Sequence, residues 1–246
     1  MTMELMHIWP MVISQENPWL PESLLSKTYL SVSWALVLLS MGLALVRWLK
    51  GSRTTASKGA RQVTGRWVMT LWPWALGIWA LLPAPWSASH WLGLAFQAPS
   101  LLTTVLCAAY VAQGVRPKLM FSAQSQTFSN WGLNGRQVPA ALLGLVLCGI
   151  ALGWLLLLDT LNLLHLQVFA WGFSPLAVAL GLCVAWCCAW GFSGVSTNPS
   201  VKWACLFLMT VYVLTRLPTG NVWDALMDPF LWIYLHVWLF RRWFSR

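Results

Sequence analysis

Seven long stretches of apolar residues alternate with shorter polar connections along the chain. They occupy residues 29–46, 67–82, 91–113, 139–158, 168–190, 201–215 and 222–240. A helix needs about 20 consecutive apolar residues to cross a bilayer, and most of these stretches approach that length. The pattern predicts an all-α, polytopic transmembrane helix bundle of about seven spans that forms a single membrane domain, residues 1–246.

The composition supports the same class of protein. Hydrophobic residues make up 59% of the 246 residues, charged residues only 9%, and the mean hydropathy is +0.66. Soluble domains carry roughly 25% charged residues. A soluble fold of this length could not bury so much apolar surface in one core, so the composition argues against an ordinary soluble protein.

The distribution of charge predicts how the chain is threaded. If the N-terminus is exterior, thirteen of the fifteen Lys and Arg residues fall on the cytoplasmic side, and all six carboxylates fall outside. Translocation of basic loops is disfavoured. We therefore expect an exterior segment 1–28, a basic cytoplasmic loop 47–66 and a cytoplasmic C-terminus. This threading also explains the net charge of +9 without a nucleic-acid partner.

The N-terminal segment has no basic start followed by a short apolar core, so we expect it to be retained rather than removed as a signal peptide. No organelle address is visible, which suits a bacterial cytoplasmic (inner) membrane.

The six cysteines lie within apolar stretches, where we expect free thiols that pack as small apolar groups.

The stretch that begins at Arg216 combines acids with an apolar run. Asn221, followed three residues later by Asp224, indicates a helix N-cap with a capping-box partner. Asp224 and Asp228 suit the positive end of the helix dipole, and Arg216 could pair with either aspartate across the hairpin. A helix cap and a hairpin ion pair would explain these residues without catalysis.

Two polar features inside the predicted spans are candidates for a buried polar or transport site. Gln97, Ser100 and Thr104 share one face of the third span, and His236 lies within the seventh. Ionisable residues inside membrane helices are functional hypotheses by default, whereas polar stripes also hold helices together. We expect Thr104 and His236 at similar depth and predict a contact between them. The alternative is a structural imidazole that bonds a hydroxyl or a backbone carbonyl.

The exterior segment also contains soft metal ligands, namely Met3, Met6, His7 and Met11. Thioethers and an imidazole are suitable ligands for Cu(I), which makes these residues candidates for a metal site. The alternative is an interfacial helix, in which Met, Ile and Trp are ordinary. We expect no bound cofactor.

The sequence lacks nucleotide-binding glycine motifs, the HExxH zinc motif and paired carboxylates within the spans. We therefore predict a non-catalytic subunit, scaffold or assembly factor of a cell-envelope complex, which binds lipid and other membrane proteins. One alternative is a small-solute or metal-ion permease that uses the third span and His236. Another is a lipid-modifying enzyme based on Asp224 and Asp228, although this pair lacks a partnering base.

Overall fold

The computed structural model describes residues 20–53, 64–115, 140–164, 166–191 and 199–244. These ranges contain helices and connections and no strand, so the all-helical prediction is confirmed. The helices are α1 (Ser23–Arg53), α2 (Thr64–Leu81), α3 (Ala88–Phe96), α4 (Leu101–Val115), α5 (Ala140–Thr160), α6 (Val168–Trp171), α7 (Pro175–Gly191), α8 (Pro199–Thr215), α9 (Val222–Leu226) and α10 (Pro229–Phe244).

The chain divides into two compact units. The N-terminal unit contains Leu24–Pro99 and Thr103–Phe121, and the C-terminal unit contains Ser100–Leu102 and Ser122–Arg246 together with Met1–Ser23, in so far as these ranges are described. In the C-terminal unit, α7 packs against α8 and α5 packs against α10. The start of α4 thus belongs to the C-terminal unit, although the remainder of that helix belongs to the N-terminal unit.

Two of the described helices are long and apolar enough to cross a bilayer. They are Ser23–Leu49 within α1 and Leu143–Thr160 within α5. The apolar parts of four other described helices are shorter, at Leu71–Leu81, Leu101–Ala112, Pro175–Trp186 and Cys205–Thr215. Length and composition in the structure therefore support two of the seven spans predicted from the sequence.

The third predicted span, 91–113, is not one continuous helix. Helix α3 ends at Phe96, and α4 begins at Leu101. Gln97 has φ 62°, in the left-handed region that interrupts a right-handed helix, and Pro99 has no backbone N–H to donate. The hydrophobic pattern predicted a single helix because it is insensitive to the backbone conformation of two or three residues.

The fifth and seventh predicted spans, 168–190 and 222–240, are interrupted in the same way. The short helices α6 and α9 end first, and α7 and α10 then begin with Pro175 and Pro229. Proline is favoured as the first residue of a helix because its N–H would have no partner inside the helix. The same sequence of elements therefore occurs three times, in 64–115, 140–191 and 199–244. Each time a long helix is followed by a connection, a short helix, a break and another helix.

Close packing between α5 and α10 depends on a glycine. A Cβ atom at Gly153 would collide with the indole ring of Trp232. The indole Nε1 of Trp232 also donates to the carbonyl of Ile150, at 3.3 Å. The Trp154 ring meets the Trp232 ring edge-on at 5.0 Å between centroids. The absence of a side chain at Gly153 therefore lets α10 approach the backbone of α5.

We predict that Gly153→Ala destabilises the protein by about 1–3 kcal/mol, because the added methyl group overpacks the Trp232 contact. Gly144, on the same helix, is the matched control, since a Cβ there meets nothing within 4 Å. Replacing a helical glycine by alanine gains about 1 kcal/mol of helix propensity, so Gly144→Ala should be neutral or stabilising. Thermal unfolding of both variants in detergent tests this, and equal shifts would contradict it.

Candidate functional site

Several buried polar residues of the C-terminal unit lie at the ends of helices. Ser100, Ser174 and Asn221 have no exposed surface, and Asp228 is 8% exposed. A buried polar group is unfavourable unless it is hydrogen-bonded, and a buried charge even more so. The partners of these groups therefore decide whether any of them is available for chemistry.

Asp228 connects the beginnings of two helices. Its Oδ1 atom accepts from the backbone N–H of Leu231 at 2.7 Å, which is the geometry of an N-cap for α10. Its Oδ2 atom accepts from the backbone N–H of Ser100 at 2.8 Å, across 128 residues of sequence. Ser100 immediately precedes α4, so one carboxylate lies at the positive ends of two helices. Both of its oxygens are engaged by the protein backbone.

In the N-terminal unit, side chains of α1 satisfy carbonyl groups exposed by the break after α3. The indole Nε1 of Trp34 donates to the carbonyl of Gln97 at 2.9 Å. The hydroxyl of Tyr29 donates to the carbonyl of Pro99 at 2.8 Å and lies 2.9 Å from the hydroxyl of Thr104. Gln97 and Pro99 lie between α3 and α4, outside both helices. Buried backbone carbonyls need donors, and these aromatic residues supply them.

The residues predicted to form a polar face of the third span, Gln97, Ser100 and Thr104, instead take part in hydrogen bonds around the break between α3 and α4. The backbone carbonyl of Gln97 accepts from Trp34, and the backbone N–H of Ser100 donates to Asp228. The hydroxyl of Thr104 lies 2.9 Å from that of Tyr29. Sequence reasoning missed Tyr29 and Trp34, because aromatic residues in an apolar stretch suggest packing alone. The available signal was the single polar atom of each ring, which needs a partner when the ring is buried.

Asn221 joins the short helices α6 and α9. Its Oδ1 atom accepts from the backbone N–H of Trp223 at 2.9 Å and so caps α9, as the sequence pattern suggested. Its Nδ2 atom donates to the carbonyl of Phe169 at 2.9 Å. The Trp223 indole donates to the carbonyl of Val168 at 2.8 Å. The Asn221 amide thus bonds to the backbone on both sides, and its role here is structural.

Asp224 is bonded within its own hairpin. Its Oδ2 atom accepts from the hydroxyl of Thr219 at 2.5 Å. The Arg216 guanidinium lies over the Tyr212 ring, 5.5 Å from its centroid. The pairing of Arg216 with Asp224 or Asp228 stays a prediction.

His236 is hydrogen-bonded within its own helix and packed among indoles. Its Nδ1 atom lies 2.8 Å from the carbonyl oxygen of Trp232. A carbonyl can only accept, so Nδ1 carries a proton and donates it in this bond. The ring meets Trp232 and Trp154 edge-on, at 4.7 and 6.3 Å between centroids. Thr104 belongs to the other unit, and its predicted contact with His236 stays a prediction.

The four metal candidates, Met3, Met6, His7 and Met11, lie outside the described residues. Within the described ranges, no three His, Cys, Asp or Glu side chains are grouped closely enough to hold a metal ion. The copper site therefore stays a prediction from the sequence.

The chain matches no protein-family model, and no curated protein or solved structure is detectably similar to it.

We predict that Asp228→Ala destabilises the protein by about 2–4 kcal/mol, because two buried backbone N–H groups lose a charged acceptor. Asp228→Asn keeps one acceptor oxygen and should cost less. Glu22→Ala removes a carboxylate from an exposed position and is the control. Thermal unfolding of the three variants in detergent gives the comparison, and equal effects of Asp228→Ala and Glu22→Ala would show that Asp228 does not connect the helices.

Proposed function

We propose that the chain is a multi-pass integral membrane protein that acts as a non-catalytic subunit, scaffold or assembly factor of a cell-envelope complex. The observation that carries the proposal is the use of polar side chains. Each of the three aspartates in the chain accepts a hydrogen bond from the protein itself: Asp159 from the N–H of Phe169, Asp224 from Thr219, and Asp228 from Ser100 and Leu231. These residues hold the fold together.

The exposed apolar surface supports the membrane location. Only 17% of the residues in Leu143–Thr160 are buried, whereas the core helix of a soluble protein would be mostly buried. Leu145 is 56% exposed, and Leu147 and Trp154 are each 47% exposed. Large apolar side chains exposed along a helix in this way favour a covering of lipid or another protein.

The proposed path of the chain through the membrane follows the charge distribution. Seven crossings, with the N-terminus outside and the C-terminus in the cytoplasm, place nearly all basic residues on the side where they are normally retained. A bacterial cytoplasmic membrane suits this arrangement. On this threading, the breaks after α3, α6 and α9 fall in the three later spans that run from the exterior to the cytoplasm.

We propose a non-catalytic role because the described ionisable groups considered for chemistry bond to the protein. Ionisable residues inside membrane segments are functional hypotheses by default, so their partners bear on this choice. Asp224 and Asp228, on which a lipid-modifying enzyme would depend, both accept hydrogen bonds from the protein, and His236 donates to the carbonyl of Trp232. A lipid-modifying enzyme is the function with the least support.

A permease is the second candidate, and the broken helices favour it. Discontinuous helices in transporters place their ends around substrate sites. In this chain, the carboxylate of Asp228 already lies at the ends of two such helices, bonded to Ser100 and Leu231. The side chain of Gln97, which is exposed, and the Nε2 atom of His236 are the groups that a solute path would use.

The two functions are separated by one experiment on His236→Ala and Gln97→Ala. For a scaffold, both variants should insert into the membrane and retain a defined set of co-purifying membrane proteins within about twofold of the wild type, because neither side chain holds the helix breaks together. The readout is quantitative mass spectrometry of the purified complex, with Asp228→Ala as the variant expected to lose partners through misfolding.

The opposite result is equally specific. If His236→Ala or Gln97→Ala inserts normally and keeps its partners but abolishes accumulation of a solute, the permease is correct. If the wild-type chain is purified from membranes without stoichiometric partners, the scaffold proposal is wrong.

A further inference from the structure

The C-terminal end of α10 combines exposed aromatic rings with two arginines. Phe240, Trp243 and Phe244 are 65%, 77% and 72% exposed. The guanidinium of Arg242 lies 5.9 Å from the ring centroid of Trp238, and the rings of Phe240 and Phe244 are 4.5 Å apart. We call this group of residues the α10 terminus; it consists of Trp238, Phe240, Arg241, Arg242, Trp243 and Phe244.

The positive charge of the α10 terminus is not balanced along its own helix. Helix α10 contains no acidic residue. The preceding carboxylate in the sequence, Asp228, lies at the opposite end of the helix, about 20 Å away at 1.5 Å per residue. The helix dipole contributes only about half a negative charge at its C-terminus. Arg241 and Arg242 therefore have no carboxylate on their own helix near this end.

The geometry points to anionic phospholipid headgroups as the partner of the α10 terminus, and we propose that Arg241 and Arg242 bind their phosphate groups. Guanidinium groups form charge-assisted, often bidentate hydrogen bonds with phosphate. Aromatic rings beside them are typical of the zone between the hydrocarbon and the headgroups. This inference rests on the proposed membrane location.

Continuity of the apolar surface favours lipid over nucleic acid as the source of phosphate. Ile233, Tyr234 and Val237 are 55%, 60% and 48% exposed, so apolar surface continues along α10 up to the arginines. A helix that is apolar along its length and basic at its end fits a hydrocarbon layer bounded by phosphate. A nucleic-acid site would instead need positive charge along the contact surface.

The test uses the full chain in lipid nanodiscs that contain phosphatidylcholine and a minority of phosphatidylglycerol. The photocrosslinking residue p-benzoylphenylalanine replaces Phe244, and mass spectrometry measures the ratio of the two crosslinked lipids. The same residue in place of Leu163, which is 62% exposed and near Asp159, provides the control position. Substitutions of the arginines then test whether their charge is responsible.

We expect phosphatidylglycerol to be enriched at Phe244 above its mole fraction, and not at Leu163. A basic residue near an anionic surface contributes about fivefold in binding. Arg241→Gln with Arg242→Gln should therefore reduce the enrichment at least fivefold. The corresponding double lysine variant should keep most of the enrichment, and Lys27→Gln, which removes an exposed charge from α1, should not change it.

Failure of the proposed lipid specificity and failure of the proposed membrane location would give different results. Crosslinking of both lipids in proportion to their abundance, or enrichment that survives loss of both arginines, would overturn the lipid specificity and leave the membrane location intact. If neither position crosslinks to lipid, the proposed membrane location is wrong as well.

Discussion

Backbone groups at a helix break must find partners, and in an apolar chain only a few side chains can supply them. A buried backbone group without a partner costs about 1–3 kcal/mol. The breaks in this chain interrupt segments that are otherwise among its most apolar. Asp228 supplies the acceptor for Ser100 and Leu231, and Trp34 and Tyr29 supply donors for Gln97 and Pro99. This requirement explains why the polar residues of the apolar segments lie at the ends of helices.

The same requirement bears on function. A group that satisfies the backbone is held in one position and loses its freedom to bind or to move protons. Asp228 and Asn221 use all of their described polar atoms in this way. Among the described residues, these two buried side chains therefore serve the backbone at the ends of helices.

The fold was partly predictable from the sequence. Hydrophobic stretches located the helices, and Asn221 followed by Asp224 located the start of a helix. The breaks were not predicted, because four residues, 97–100, are too few to divide the apolar stretch 91–113 into two by hydropathy alone. Pro99, Pro175 and Pro229 were the available signals, since proline interrupts or begins a helix. The bond between Ser100 and Asp228 was beyond prediction, because no local pattern relates residues 128 positions apart.

The Asp228 carboxylate, which accepts from backbone N–H groups at the starts of both α4 and α10, also constrains what a permease of this fold could carry. A negatively charged solute at the start of α4 or α10 would need to displace the Asp228 carboxylate from the N–H groups of Ser100 and Leu231, both in the C-terminal unit. It would meet like charge while giving up two charge-assisted hydrogen bonds, each worth about 1.5–3 kcal/mol. A cation would be attracted to the same carboxylate without breaking either bond. If transport occurs at this break, the solute is therefore a cation or a neutral molecule, and the anion-binding use of helix ends is excluded by the chain's own aspartate.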